Sequence, residues 1–466
     1  MPSCLLLRRL LSGCLLVLLS TCAPVGPNHE VPKMELPVSF SQGGVRWKPQ
    51  TPGSQPKPRS WWQIYHDGTL TSLVQRSLAK NQDLASSAAR LRQARELSIA
   101  ARSEYFPDVN FGATASRSKA RFLGAETIQQ NNFIVPVDFR YELDVWGKVR
   151  RKVESANASA DAAAESLNAL RLSVAGEVAQ TYWALCAVDA DRVVLTHTLE
   201  IRRKALDLLG KRRDAGSISG LDLARAETEV ATAEADRIRL EQARIALVNA
   251  LAVLAGTNAT DFNLPDHAEL PNPPTVPVSL PSDLLRQRPD IRAAERQVAA
   301  ANADIGVAAA AFYPSFAINA NGGLSTANLS DLFNASSLVW SLGSNVTAPI
   351  TRRPFLKAQE QAAVAAHEAV SAQYRQTVLN SIREVENALQ GAVILQRRQV
   401  AQEQALAAAR KTFDLSVKRY QSGLVSFLDV VDAERTRLDA ERATNAIRAE
   451  RLAVSVSLIK ALGGEW

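Results

Sequence analysis

Hydrophobic positions along the chain follow two periods, one helical and one extended. Leu167, Leu170, Val174, Val178, Tyr182 and Leu185 step by three and four, which puts them on one face of an α-helix. Elsewhere apolar and polar residues alternate. Val109, Phe111, Ala113 and Ala115 alternate with Asp108, Asn110, Gly112 and Thr114, and Phe133 to Leu143 does the same through Val135, Val137, Phe139 and Tyr141. Further on, Phe316, Ile318 and Ala320 alternate with polar residues, as do Leu338, Trp340 and Leu342. A period of two over about ten residues suits a transmembrane strand with one face to lipid and one to water.

The helical regions are long. Residues 137–264 and 355–466 contain no proline, and each reads as two helices meeting at a glycine turn, Ala215-Gly216-Ser217 and Ser422-Gly423-Leu424. The leading helix of each pair runs from Trp146 to Asp214 or from Pro354 to Gln421. Each is about 100 Å long at ~1.5 Å per residue. Runs such as Ala162-Ala163-Ala164 and Ala362-Ala363-Val364-Ala365-Ala366 let such helices lie close side by side. A generic coiled coil shares this appearance, so the helices alone leave function open.

The chain is duplicated. Phe106-Pro107 returns as Tyr313-Pro314, and Glu177-Val178 as Glu384-Val385, both 207 residues later (313 − 106 and 384 − 177). Gly216 and Gly423, Asp222 and Asp429, and Glu227 and Glu434 keep the same spacing. Two copies of one unit, at about 67–257 and 283–466, are expected, each with a helix, two strands, a long helix and a further helix. Proline-rich stretches at 22–66 and 258–282 read as an extended tether and a linker.

Four strands per chain cannot close a membrane barrel, which needs at least eight. Two chains would reach eight, but such a barrel is filled by its own side chains. Three chains give twelve strands and twelve helical elements around one axis, so a trimeric conduit fits the count best. Two ordinary hairpins on a helical protein are the competing reading.

Composition agrees with an exported protein. Charged residues make up 22% of the 466 and hydrophobic ones 46%, a globular balance, and no apolar run of helical-span length follows the N-terminus. Arg8 and Arg9 precede an apolar segment ending in Leu19-Ser20-Thr21-Cys22, which resembles a bacterial lipobox with Cys22 as the acylated residue. Leu11-Ser12-Gly13-Cys14 is a rival, but cutting there leaves too short an apolar segment. Residues 1–21 are the signal peptide on this reading, and Ala23 after the cysteine points to outer-membrane delivery. The signal carries two arginines and no acid, so its loss takes the formal charge from +7 to +5. Basic knots at Arg150-Arg151-Lys152, Arg202-Arg203-Lys204 and Lys211-Arg212-Arg213 read as solvated helix faces, and no nucleic-acid module accompanies them. Cys186 is the one thiol left, a small helix residue with no disulfide partner.

These residues together resemble the TolC-like outer-membrane efflux channels, particularly the OprM-type and NodT-type lipoproteins. The matching stretches are Cys22-Ala23-Pro24-Val25-Gly26-Pro27, Trp61-Trp62, Asn81-Gln82-Asp83-Leu84 and Tyr141-Glu142-Leu143-Asp144-Val145-Trp146-Gly147. Arg288-Pro289-Asp290-Ile291-Arg292-Ala293-Ala294-Glu295, Ala311-Phe312-Tyr313-Pro314 and Ala461-Leu462-Gly463-Gly464-Glu465-Trp466 complete the set, which covers essentially the whole mature chain.

The resemblance implies a mainly α protomer with transmembrane β-strands, three copies of which form a twelve-stranded barrel continuous with a long periplasmic helical barrel. It implies docking to a periplasmic adaptor bound to an inner-membrane transporter, of the RND type, and contact with outer-membrane lipid. No cofactor, metal, nucleic acid or catalytic site is expected, since energy coupling would lie in the transporter. The sequence has no phosphate-binding loop and no HExxH, and its five histidines are scattered.

By the same resemblance Asp429 and Asp432, spaced i, i+3, face the lumen near the closed periplasmic end, with Asp222 at the equivalent first-copy position. Six such carboxylates in a ring would favour cations. Solvated residues on a charged helix that also bears Glu434, Arg435 and Arg437 are the plainer alternative. Tyr420 matches a gate position, whereas Val425 replaces an arginine that helps hold some relatives closed. Gly216, Ser217, Gly423 and Leu424 are the expected adaptor-docking tips. A type I secretion duct and a non-pore structural periplasmic lipoprotein remain as alternative functions. Metal export through a methionine relay does not fit a chain whose only methionines are Met1 and Met34.

Overall fold

The computed structural model describes residues 24–37, 60–121, 127–216, 218–274, 276 and 287–464. The lipidation candidates Cys22 and Cys14, the tip residue Ser217, and the terminal Glu465-Trp466 lie outside these residues. Twelve helices and strands are named below. They are α1 (Gly68–Lys80), α2 (Gln82–Ser103), β1 (Asp108–Phe111), β2 (Thr114–Arg121), β3 (Thr127–Leu143), α3 (Lys148–Asp214) and α4 (Gly220–Leu254) in the first half. The second half has α5 (Pro289–Ala310), β4 (Ser315–Thr326), β5 (Leu338–Thr347), α6 (Arg353–Gln421) and α7 (Phe427–Ala461). Two short helices, rather than one, precede the first strands. Asn81 divides them. Its backbone N–H closes α1 on Ser77, while its side-chain oxygen accepts from the N–H groups of Asp83 and Leu84 at 3.0 and 3.1 Å and starts α2.

The chain forms two compact units, each drawing on both halves. Of the described residues, one comprises those within 24–33, 90–164 and 293–375, the other those within 34–37, 60–89, 165–292 and 376–464. The first holds a single antiparallel sheet in the order β1-β3-β4-β5, with β2 also on β3. β1 and β2 are one strand interrupted. Asp108 pairs with Arg140 and Thr114 with Ile134, so the register is unbroken across Gly112 and Ala113. The interruption faces Pro136, which has no N–H to donate to the ladder. On its other side Pro136 pairs with Gly323, where a Cβ would lie 2.2 Å from the Val135 carbonyl oxygen, so only glycine fits.

The same unit contains the junction between β3 and α3. The Asp144 carboxylate accepts from the N–H groups of Val149 and Arg150 at 2.9 and 3.0 Å, capping the long helix. Trp146 stacks on Tyr313 with centroids 4.7 Å apart and donates to the Pro314 carbonyl at 2.7 Å. The Trp146-Gly147 and Tyr313-Pro314 motifs therefore meet. Small residues bring helices together here, as Ala158 does with Ala299 and Ala300.

The second unit carries the larger aromatic core. Trp183 and Tyr182 are fully buried, Tyr65 lies against Trp183 at 5.5 Å, and the Tyr65 hydroxyl meets Ser455 Oγ at 2.6 Å. Desolvation pushes the Tyr65 and Tyr182 phenols far above their usual range. Cys186 is buried beside them, with its thiol pushed up to about 12 by desolvation, which makes it unreactive.

Candidate channel and tip residues

The sheet in the first unit is bare on both faces. Every residue of β5 is exposed, including Trp340 at 77% and Leu342 at 70%, and so is every residue of β1 and β2. Its two outer strands, β1/β2 and β5, have no further strand partner among the described residues. A half-paired, apolar and exposed edge of this kind is unstable in isolation and calls for continuation of the ladder. None of the described helices is long and apolar enough to cross a membrane.

The residues just after Cys22 are pinned to the strand–helix junction of this unit. Val25 N–H donates to the Trp146 carbonyl at 3.0 Å. Arg151 donates to the carbonyls of Val25 and Gly26, both at 3.2 Å, and Asn302 to that of Pro27 at 2.9 Å. His29 Nε2 lies 2.6 Å from Glu295. Arg151 is only 2% exposed. The expectation of a solvated basic knot at 150–152 is thus corrected at its centre, because two backbone carbonyls, Asn28 and Glu154 hold the guanidinium.

At the tips, in the second unit, both glycine turns have the left-handed backbone that calls for glycine, φ +72 at Gly216 and at Gly423. Leu424 N–H reaches back to the Arg419 carbonyl at 2.9 Å, closing α6. Tyr420 is half-buried. Its ring lies 5.8 Å from Phe427, and the Arg212 guanidinium sits 5.7 Å from its centroid, donating to its hydroxyl at 3.4 Å.

Asp429 opens α7. Its carboxylate accepts from the Ser426 N–H at 2.8 Å and the Ser426 hydroxyl at 2.7 Å, and these bonds hold it below the usual carboxylate range. Asp222 makes the corresponding contact with Ser219 Oγ at 3.2 Å in the first turn of α4. Both aspartates therefore have a local structural role as well as a charge. Asp432 is exposed, one turn further along α7.

Sequence reasoning missed the ionic cluster below the tips. Arg202 on α3 lies between Glu229 on α4, 3.0 Å away, and Glu434 on α7, 3.1 Å away. All three are almost fully buried, and Arg435 closes on Glu229 from outside. Arg437 is buried too, over the Phe413 ring at 5.0 Å. Glu434, Arg437 and Arg202 are thus not solvated, contrary to the reading of these segments as charged outer faces. Desolvation raises the Glu434 carboxyl, opposed by Arg202. A signal was present. Arg202 falls in step with Leu195, Leu199, Leu206 and Leu209, and Glu434 with Phe427, Val431 and Leu438, so each charge occupies a position on an apolar heptad stripe.

The family model for outer membrane efflux proteins matches residues 73–257 and 280–464, most of the chain and once in each half. The chain belongs to the outer membrane efflux protein family. It is 32% identical to the pyoverdine export outer membrane protein OpmQ of Pseudomonas aeruginosa, over 88% of either chain. It is 29% identical to the probable efflux pump outer membrane protein TtgC of Pseudomonas putida, over 98% of this chain and 94% of that one. Among solved structures, the outer-membrane channel OprN superposes with a TM-score of 0.86 at 30% identity, covering 94% of this chain and 99% of OprN. The fold is that of a TolC-like channel, and the protein is an outer-membrane exit duct of an efflux system. The family is one of transport ducts rather than enzymes.

Proposed function

We propose that three copies of this chain close a twelve-stranded barrel in the outer membrane and line a helical duct on its periplasmic side. The observation that carries the trimer is the four-strand-wide sheet with two free edges and two bare faces, which needs neighbours on both sides. Cys22 is the lipidated residue. The docked segment from Val25 to Pro27 supports this, since an anchor just before it would hang beside the strand–helix junction. The proline-rich stretches serve as tether (22–66) and linker (258–282) between repeats at 67–257 and 283–466.

The cargo is small molecules, passed on passively by a periplasmic adaptor and an inner-membrane transporter of the RND type. Relatives named for pyoverdine export and for antibiotic and solvent efflux support that class. The adaptor docks on the tips at Gly216, Ser217, Gly423 and Leu424. Asp429 and Asp432, with Asp222, form the acidic constriction, and Tyr420 holds the resting arrangement through Arg212 and Phe427. Ionised Asp429 suits a cation-selective ring, because its Ser426 contacts favour the charged form.

Planar-bilayer conductance of the purified protein, with oligomer mass measured in parallel, tests the reading. Small cation-selective openings from a trimer are expected, and Asp429→Ala with Asp432→Ala reduces the selectivity. A monomer or dimer that never conducts would sink the duct, and unchanged selectivity in the variant would sink the constriction.

A further inference from the structure

Just below the tips, α3, α4, α6 and α7 leave a cavity of about 210 Å³ between them. Most of its wall is apolar, from Leu208, Phe413, Val417, Phe427 and Val431, and Tyr420 stands at its edge. One polar atom lacks a partner. Glu434 lines the cavity at 5% exposure, and while its Oε2 is held by Arg202, its Oε1 is buried with no hydrogen-bond partner among the described residues. Buried acceptors are rarely left so, because the lost hydration is not replaced. Arg202 and Glu229 also border the space, but they are already committed to each other and to Glu434.

We propose that this cavity is a binding site for a small aromatic molecule carrying one N–H or O–H donor. Its ring fits among Phe413, Val417 and Phe427, and its donor meets Glu434 Oε1. The size agrees, since an apolar cavity of about 150 Å³ takes a benzene ring, and this one has room for a fused pair of rings. The wall includes the exposed Leu208, which gives the cavity an opening to solvent. All four helices contribute to the wall, so an occupant stabilises the arrangement in which they are together. The site is independent of the transport reading and is measurable whether or not the protein conducts.

The test uses 5-fluoroindole, followed by ¹⁹F resonance, with the detergent-solubilised full chain. Saturable binding is expected, with N-methyl-5-fluoroindole, which has no donor, about tenfold weaker. Ala205→Phe and Val417→Phe each fill the cavity from a different helix, so the test survives if one of them fails to assemble. Each is expected to lose binding at least tenfold while keeping native migration. The proposal is overturned if the filled variants bind as the native chain does, which marks partition into the micelle. It is equally overturned if the N-methyl compound binds as tightly as its parent.

Discussion

Arg202→Met removes the one cation placed between two buried carboxylates while keeping most of the side chain's volume. Arg202 is 6% exposed and Glu229 and Glu434 are each 5% exposed, so water does not replace the lost charge. Removing one partner of a buried ion pair costs about 3–5 kcal/mol. The lower end applies here, because Arg435 still meets Glu229 and Arg437 still acts on Glu434. A cost of about 3 kcal/mol raises the local opening equilibrium on the order of a hundredfold.

The defect depends on pH. Burial already raises the Glu434 carboxyl and Arg202 opposes it, so the variant raises it further. A carboxyl with a folded pKa above its unfolded value of about 4.3 binds its proton more tightly when folded. Its protonated form stabilises the fold at low pH, and that stability is lost as pH rises from the unfolded value through the folded one. Hydrogen exchange of the α3 and α7 segments around 202 and 434, corrected for intrinsic rates, reads both effects. Exchange about a hundredfold faster than native is expected at pH 7.5, narrowing toward pH 5. Adding Glu434→Leu to Arg202→Met recovers most of the loss, since apolar groups replace buried ions at little cost. A variant within threefold of native at pH 7.5, or a gap that does not narrow in acid, would refute the reasoning.

Two further outcomes follow from the same geometry. Ser426→Ala removes the hydroxyl that Asp429 accepts from but keeps the charge, so it speeds amide exchange over 426–431 without altering ion selectivity, whereas Asp429→Asn changes both. Equal selectivity in Asp429→Asn and the native protein would leave that aspartate with its helix-start role alone. Gly147→Ala puts a methyl 2.4 Å from Pro24 Cβ at φ +78, adding about 1–2 kcal/mol of backbone strain to the clash. It frees the segment 24–33 to limited proteolysis, and unchanged protection would disprove the docking of that segment.

Much of the fold was legible because its signals are periodic. The expected helix starts at Trp146 and Pro354 fall within two residues of those of α3 and α6, and both ends fall at the glycine turns, since proline and glycine punctuate helices by their own backbone chemistry. Period-two alternation found β3, β4 and β5, but the break between β1 and β2 depends on Pro136 of the facing strand, which no local pattern reports. Asn81 and Asp144 stood out as motif residues, yet their work as caps required knowing where α2 and α3 begin. The tips were found through glycine. The buried ions were not, because basic and acidic runs on helices are usually solvated, and only their phase on the heptad stripe separates Arg202 from its neighbours Arg203 and Lys204.

That phase also explains how two copies of one unit came to do different things. Ser219 and Asp222 recur as Ser426 and Asp429, so the chemistry that starts α4 and α7 is the same in both halves. The residue five positions after each aspartate is not treated alike. Glu227 is exposed, whereas its counterpart Glu434 is buried and tied to Arg202. Arg202 itself has Ala409 at the equivalent place in the second half, so this ion bridge exists once per chain. A charged layer inside an apolar helix seam is satisfied in one alignment of the helices and penalised in every other. Placed about three to four turns from the glycine tips, it fixes the register of α3, α4 and α7 there. Asp429 and Asp432 remain exposed on the first turns of α7, outside that layer.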